Sequence, residues 1–261
     1  MIFDKLMEQL EAFTPAHLAL SSDNSGYQIG RADKAVHKVC MATDATLDVI
    51  RQAKDSGADL LIAHHPIIFK PIARVTDDDF SGRRIIELIR SDINFVALHT
   101  NFDVAHMGSM AAGMLGLRDY KVFEVTRTED AATLGIGCHG RLPRPMSLRE
   151  CAEHVQATFK LDSLRVYGDG ESPIDSAAIS PGSTGLNAPM LAQKAGVDLY
   201  ITGEIKHSTA LALLSEGISV IEAGHFGTEK IFVPAMMEFF GREIPELEVF
   251  AAKESNPFYV L

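Results

Sequence analysis

Three short segments concentrate the residue types that bind divalent metals. AHHP places His64 and His65 side by side, LHTNFD carries His99 and Asp103, and AGHFGTEK carries His225 and Glu229 four positions apart. Imidazole supplies a neutral nitrogen and a carboxylate a charged, potentially bridging oxygen, the mixture that borderline ions such as zinc, iron, manganese, cobalt or nickel prefer. His64, His65, Asp103, His225 and Glu229 therefore offer three imidazoles and two carboxylates. That is too many donors for one catalytic ion with an open position, and suits two ions roughly 3.5–4 Å apart. Such a pair acidifies a water and polarises the bond that it attacks, so the chemistry expected is hydrolysis of a small-molecule substrate. His99 lies in the ligand loop without being needed as a ligand, which makes it the candidate for proton transfer. In TGEIKH, Glu204 and His207 are candidates for substrate contact or for supporting the ligands from behind, with helix capping as the competing reading.

The elements that position these groups are legible as hydrophobic patterns. VHKVCMAT reads as a strand, ATLDVIRQAKDSG as a helix closing on Gly57, and ADLLIAH as a nearly all-apolar strand that delivers AHHP. SGRRIIELIRS is helical and NFVALH is the next strand; continuous apolar character points to a parallel sheet covered on both faces. Beyond the carboxyl ends of such strands lie the ligand sites of open α/β sheets. Adjacent strand residues point to opposite faces, so His64 and His65 should serve different ions unless the backbone turns. Asp103 could also act as a cap for a helix beginning near Gly108.

The later half echoes the first. GADLLI at 57–62 returns as GVDLYI at 196–201, INFV at 93–96 as ISVI at 218–221, and His-x3-acid occurs at His99 to Asp103 and at His225 to Glu229. We therefore expect an α/β protein of two similar three-layer α/β/α halves with largely parallel sheets, residues 1–125 and 126–261. The last segment, about 220–261, supplies His225 and Glu229 and is expected to pack back on the first half. TPAHLALSSDNSGYQIG reads as a long loop, and SPGSTG at 180–185 as a tight turn between a strand and the helix LNAPMLAQKAG.

Composition narrows the partners. A net charge of −11, with 24 Lys and Arg against 35 Asp and Glu and no basic cluster, disfavours strong nucleic-acid binding. Cys40, Cys138 and Cys151 are far apart and odd in number, so they read as reduced thiols of a cytoplasmic protein rather than a disulfide framework. No apolar run reaches membrane-spanning length. A G-x-x-x-x-G-K-[ST] loop is absent.

AHHP, LHTNFD, TGEIKHSTAL and AGHFGTE, with DNSGYQIG near the start, resemble the NGG-interacting-factor-three-like dinuclear metal-centre family, often called type 2 GTP cyclohydrolase I homologues. The resemblance runs in order through almost the whole chain. It implies that His64, His65, Asp103, His225 and Glu229 are the metal ligands, with Glu229 bridging. It also implies a dinuclear site between two α/β/α domains, and a homohexamer whose sites face an internal cavity. The chain departs from relatives at Ser25 and Tyr27, usually apolar, and at Ser208 and Thr209, where relatives often offer His or Asp. The function expected is that of a two-metal hydrolase acting by GTP cyclohydrolase-like ring opening or by nucleotide phosphoester cleavage. The alternative from another class is a metal-binding oligomeric scaffold without turnover.

Overall fold

Residues that are apolar at every position of a short strand must be buried on both faces, and the computed structural model, which describes residues 1–129 and 131–260, places them so. The chain forms two compact units, each with its own sheet. Unit 1 comprises Met1–Phe102 and Lys230–Ser255. Its sheet has the order β1-β4-β3-β2-β11, from β1 (Gly26–Ile29), β2 (Lys38–Ala42), β3 (Leu60–Ala63), β4 (Asn94–Ala97) and β11 (Glu248–Ala251). All neighbours are parallel except β1 against β4. GYQI, expected within a loop, thus forms an antiparallel edge strand.

Alternation sorts the side chains of these strands. Cys40, Leu61 and Phe95 pack on one face with Val49 and Ile50 of helix α2 (Leu47–Asp55) and Ile85 and Leu88 of α3 (Phe80–Arg90). Met41, Ile62 and Val96, equally buried, point to the other face, where α10 (Phe232–Glu243) packs against β2. Helix α1 (Phe3–Phe13) joins it, with the Phe13 and Phe239 rings stacked at 4.1 Å. Thr46 and Asp79 start α2 and α3 by accepting the Val49 and Gly82 N–H groups.

Unit 2 comprises Asp103–Glu229 and the last residues from Asn256. Its sheet order is β5-β6-β8-β9-β10-β7, from β5 (Arg118–Glu129), β6 (Ala132–Ser147), β7 (Arg165–Tyr167), β8 (Pro173–Ser183), β9 (Leu199–Glu204) and β10 (Ser219–Glu222). Only β8, β9 and β10 run parallel; the rest pair antiparallel, so this sheet is mixed rather than largely parallel. Phe123, Ala178, Tyr200 and Val220 form its core with α7 (Ala188–Ala195) and α8 (His207–Ser215). A capping box between Ser147 and Glu150 opens α6 (Leu148–Phe159). Residue 126 falls inside β5, which is paired along its length with β6, and the chain leaves unit 1 earlier, at Phe102.

The sequence echo has a physical cause. Asp59 of GADLLI accepts the N–H groups of His37 and Lys38 at the start of β2, and Asp198 of GVDLYI accepts those of Asp175 and Ser176 in β8. In each half one carboxylate ties the edge of a parallel strand to its neighbour. The α/β architecture of two related halves is therefore present, with β2-β3-β4 matched by β8-β9-β10.

Candidate metal centre

In unit 1 the parallel register puts Ala42, Ala63 and Ala97 side by side at the strand ends. The residues that follow must emerge together. β3 stops at Ala63, so strand alternation no longer separates His64 from His65; their ring centroids are 5.0 Å apart. His64 Nδ1 bonds the Leu98 carbonyl at 2.8 Å, His65 Nδ1 bonds Asp44 Oδ1 at 2.9 Å, and His99 Nδ1 bonds Asp23 Oδ1 at 2.8 Å. A carbonyl or an ionised carboxylate only accepts, so each Nδ1 carries a hydrogen, and Nε2 is the nitrogen that bears the lone pair in the corresponding neutral tautomer. His64, His65 and His99 each bring a ligand atom within 4.8 Å of the others. His64 is fully buried beside the rings of Phe232 and Phe102, at centroid distances of 5.2 and 6.3 Å. The structure thus groups His99 with the two expected ligands.

Asp23 anchors this cluster. Its side chain, 2% exposed, accepts from His99, from Thr100 N and Oγ1 at 3.1 and 2.5 Å, and from Ser25 Oγ at 2.6 Å. Burial opposes its ionisation, but the hydrogen bonds from His99, Ser25 and Thr100 outweigh burial and hold the carboxyl well below the usual carboxylate range. The neighbouring Gln28 accepts the Ile67 and Ile68 N–H groups, which fixes the chain after AHHP.

In unit 2, His225 and Glu229 occupy a separate five-residue helix, α9 (His225–Glu229), rather than the start of α10. His225 Nε2 lies 2.9 Å from Glu229 Oε2, and its Nδ1 lies 3.2 Å from Glu204 Oε1. Ser183 Oγ donates to Glu204 at 2.5 Å; that bond, with help from His225 and against burial, lowers the Glu204 pKa. SPGSTG is not a turn before a helix: β8 runs through Ser183, and Gly182 has φ +73°. A Cβ on Gly182 would stand 2.1 Å from Glu229 Oε1, and one on Gly203 would stand 2.8 Å from His225 Cα. Gly182 thus leaves the space in which the buried Glu229 carboxylate sits, and Gly203 lets the α9 backbone approach β9.

Asp103 does not cap α5 (Gly108–Met114). Helical backbone already runs through α4 (Thr100–Phe102), and Asp103 opens a wide π-helical turn, Asp103–Met107, of the kind found at functional sites. Asp103 is half-buried and lines an open cleft of about 550 Å³ with Ser109, Tyr120 and Val122. His207 is exposed at the first position of α8 and, among the described residues, has no side-chain hydrogen bond.

The donor chemistry fits divalent metal: oriented neutral imidazoles in one unit, and an imidazole with a cradled carboxylate in the other. Residues 1–257 match the family model described as Duf34/NIF3 (NGG1p interacting factor 3). The chain belongs to the DUF34/NIF3 family. Relatives named GTP cyclohydrolase 1 type 2 homolog include one from Clostridium acetobutylicum, 35% identical over 84% of this chain and 82% of the relative. Another, from Clostridium perfringens, is 30% identical over 99% of each. A Staphylococcus aureus hypothetical protein superposes with TM-score 0.89 at 27% identity, covering 100% of this chain and 99% of that one. A Bacillus cereus protein related to NIF3 shares the fold, with TM-score 0.95 at 23% identity over 100% and 99%. No helix of the described residues is long and apolar enough to cross a membrane.

Within this DUF34/NIF3 chain, sequence reasoning passed over Asp23, Asp44, Gly182 and Gly203. Asp23 stands in the quoted DNSGYQIG motif, which was the available signal. Nothing local marks Asp44, whose partner His65 lies 21 residues away.

Proposed function

We propose that the chain is a divalent-metal-dependent hydrolase in which His64, His65, Asp103, His225 and Glu229 hold two metal ions. What carries the reading is the preorganisation of the imidazoles in unit 1, each with Nδ1 committed to a different acceptor and Nε2 left with the lone pair. Bound there, the ions supply Lewis-acid polarisation of the bond to be cleaved and acidify the attacking water.

The chain's own groups orient donors and move the proton. Asp23 holds the Nδ1–H of His99, so Nε2 takes a proton from the attacking water and returns it to the leaving group, while the ionised carboxylate stabilises the imidazolium. Glu204 orients His225 through Nδ1, the supporting one of the two roles that the sequence offered for it. His207, exposed at the start of α8, contacts substrate. The relatives' name brings GTP ring opening to this chain as the reaction to test first, with phosphoester cleavage of a nucleotide as the other hydrolytic outcome. The active form is a cytoplasmic homohexamer; its three free, buried thiols suit a reducing compartment.

The test is turnover by manganese- or zinc-loaded protein on GTP, mononucleotides and phosphoesters. His99→Ala should abolish turnover with metal content intact. Wild-type protein that holds two ions and leaves the whole panel unchanged would instead establish a metal-binding scaffold.

A further inference from the structure

The segment that follows β11 within unit 1 gives the candidate centre an additional support. Beyond β11, Ala252 N donates to the Met41 carbonyl at 2.8 Å, which extends the pairing with β2 by one residue. Lys253 is clasped by one side chain of α2: its N–H donates to Gln52 Oε1 at 2.8 Å, and its carbonyl accepts from Gln52 Nε2 at 3.0 Å. Glu254 then turns its carboxylate onto the end of β2. Oε2 accepts the Thr43 N–H at 2.7 Å and Oε1 accepts the Asp44 N–H at 2.9 Å. Burial pushes the Glu254 carboxyl pKa up, against the pull of these two bonds, so the carboxylate is held here by geometry rather than by solvent.

The turn that Glu254 holds is the one that presents His65. Thr43 O accepts the His65 N–H at 3.0 Å, and Asp44 Oδ1 accepts from His65 Nδ1 at 2.9 Å. One carboxylate, 211 residues distant in sequence from Thr43, therefore fixes both main-chain donors of a two-residue turn whose acceptors set the position and tautomer of a candidate ligand. His64 and His99 have other anchors, Leu98 O and Asp23, and neither passes through Glu254.

We propose that Glu254 is a positioning residue of the metal centre, locking the Thr43–Asp44 turn so that Asp44 holds His65 with its Nε2 lone pair directed for coordination. The role in metal binding rests on the reading of His65 as a ligand; the control of His65 orientation does not. Groups behind metal-binding histidines commonly contribute 10–100-fold in affinity.

The test uses the full chain with ¹⁵N-labelled histidine, first metal-free and then titrated with zinc against a chelator. In wild type, His65 should be the Nδ1–H tautomer. Glu254→Ala should mix the His65 tautomers, leave the His64 and His99 signals in place, and weaken zinc binding about 10–100-fold. Asp44→Asn should do the same, and the double variant should be no worse than Asp44→Asn alone. Glu254→Gln, which keeps one acceptor, should fall between wild type and Glu254→Ala, and it carries the test if the alanine variant does not fold. Unchanged His65 tautomer and zinc affinity in the folded variants would overturn the proposal. Wild-type protein that takes up no zinc while its His65 tautomer still responds to Glu254 would overturn the metal reading alone.

Discussion

Gly182→Ala separates a steric demand of the metal centre from an ordinary backbone cost. At φ +73° the new residue adopts a left-handed conformation that costs an L side chain about 1–2 kcal/mol. Its Cβ would lie 2.1 Å from Glu229 Oε1, so that oxygen must retreat by about 1.3 Å to reach the 3.4 Å of ordinary contact. The end of a flexible side chain moves at little cost to folding, so stability should register mainly the backbone term. At about 2–4 °C per kcal/mol for a chain of this size, Tm should fall by roughly 2–8 °C. The displaced carboxylate should register in metal binding, because displacements near 1 Å disable preorganised sites; a loss of about 10–100-fold is expected. Gly196→Ala is the control. Its φ is +65° and nothing lies within 4 Å of the added Cβ, so it should show a similar fall in Tm with unchanged metal affinity. Thermal melts and chelator-competition titrations of both variants decide the matter. Wild-type affinity in Gly182→Ala, or equal losses in both variants, would refute the assignment of Gly182 as the space for Glu229.

The remaining predictions concern the groups around the site and the core. Asp23 has a lowered folded pKa, so its bonds stabilise the fold above the unfolded value of about 3.9 and that contribution is lost as pH falls through the folded value. Asp23→Asn should therefore cost about 2–3 kcal/mol at pH 7, with the two stability curves converging in strong acid; curves that stay parallel in denaturant titrations carried from pH 7 down to about pH 2 would contradict it. Burial raises Cys40 to about 12 and Cys138 and Cys151 to about 11, which keeps all three protonated at neutral pH. Native protein at pH 7.5 should resist iodoacetamide and denatured protein should take up three equivalents, so rapid labelling of the native state would count against this core. His225→Ala and Glu229→Ala should each lower bound metal substantially by elemental analysis, and full occupancy in both would remove them as ligands.

What could be read in the sequence was what is local. The strands β2, β3 and β4 announced themselves because burial on both faces demands apolar residues at successive positions. The G-x-D-L echo was visible because Asp59 and Asp198 each tie adjacent strands in the same way. Strand-like alternation shows in RTEDAATLGIGCHGRLPRP, but not the pairing of β5 with β6 across residue 126, since their polar, exposed residues lack a continuous apolar run. Sequence likewise hid Asp44 and Glu254, which act on His65 and Thr43 across 21 and 211 residues, and, although DNSGYQIG marked Asp23, it hid that Asp23 acts on His99 across 76. Gly182 looked like a turn glycine because its reason, an approaching carboxylate from α9, belongs to packing rather than to neighbours in the chain.

The most direct measurement is anomalous diffraction from crystals of the purified, unmodified protein, collected on both sides of the zinc, iron, manganese, cobalt and nickel absorption edges. Two peaks per chain are expected, held by His64, His65, Asp103, His225 and Glu229. No peak at these residues, or ions held by other side chains instead, would contradict this assignment.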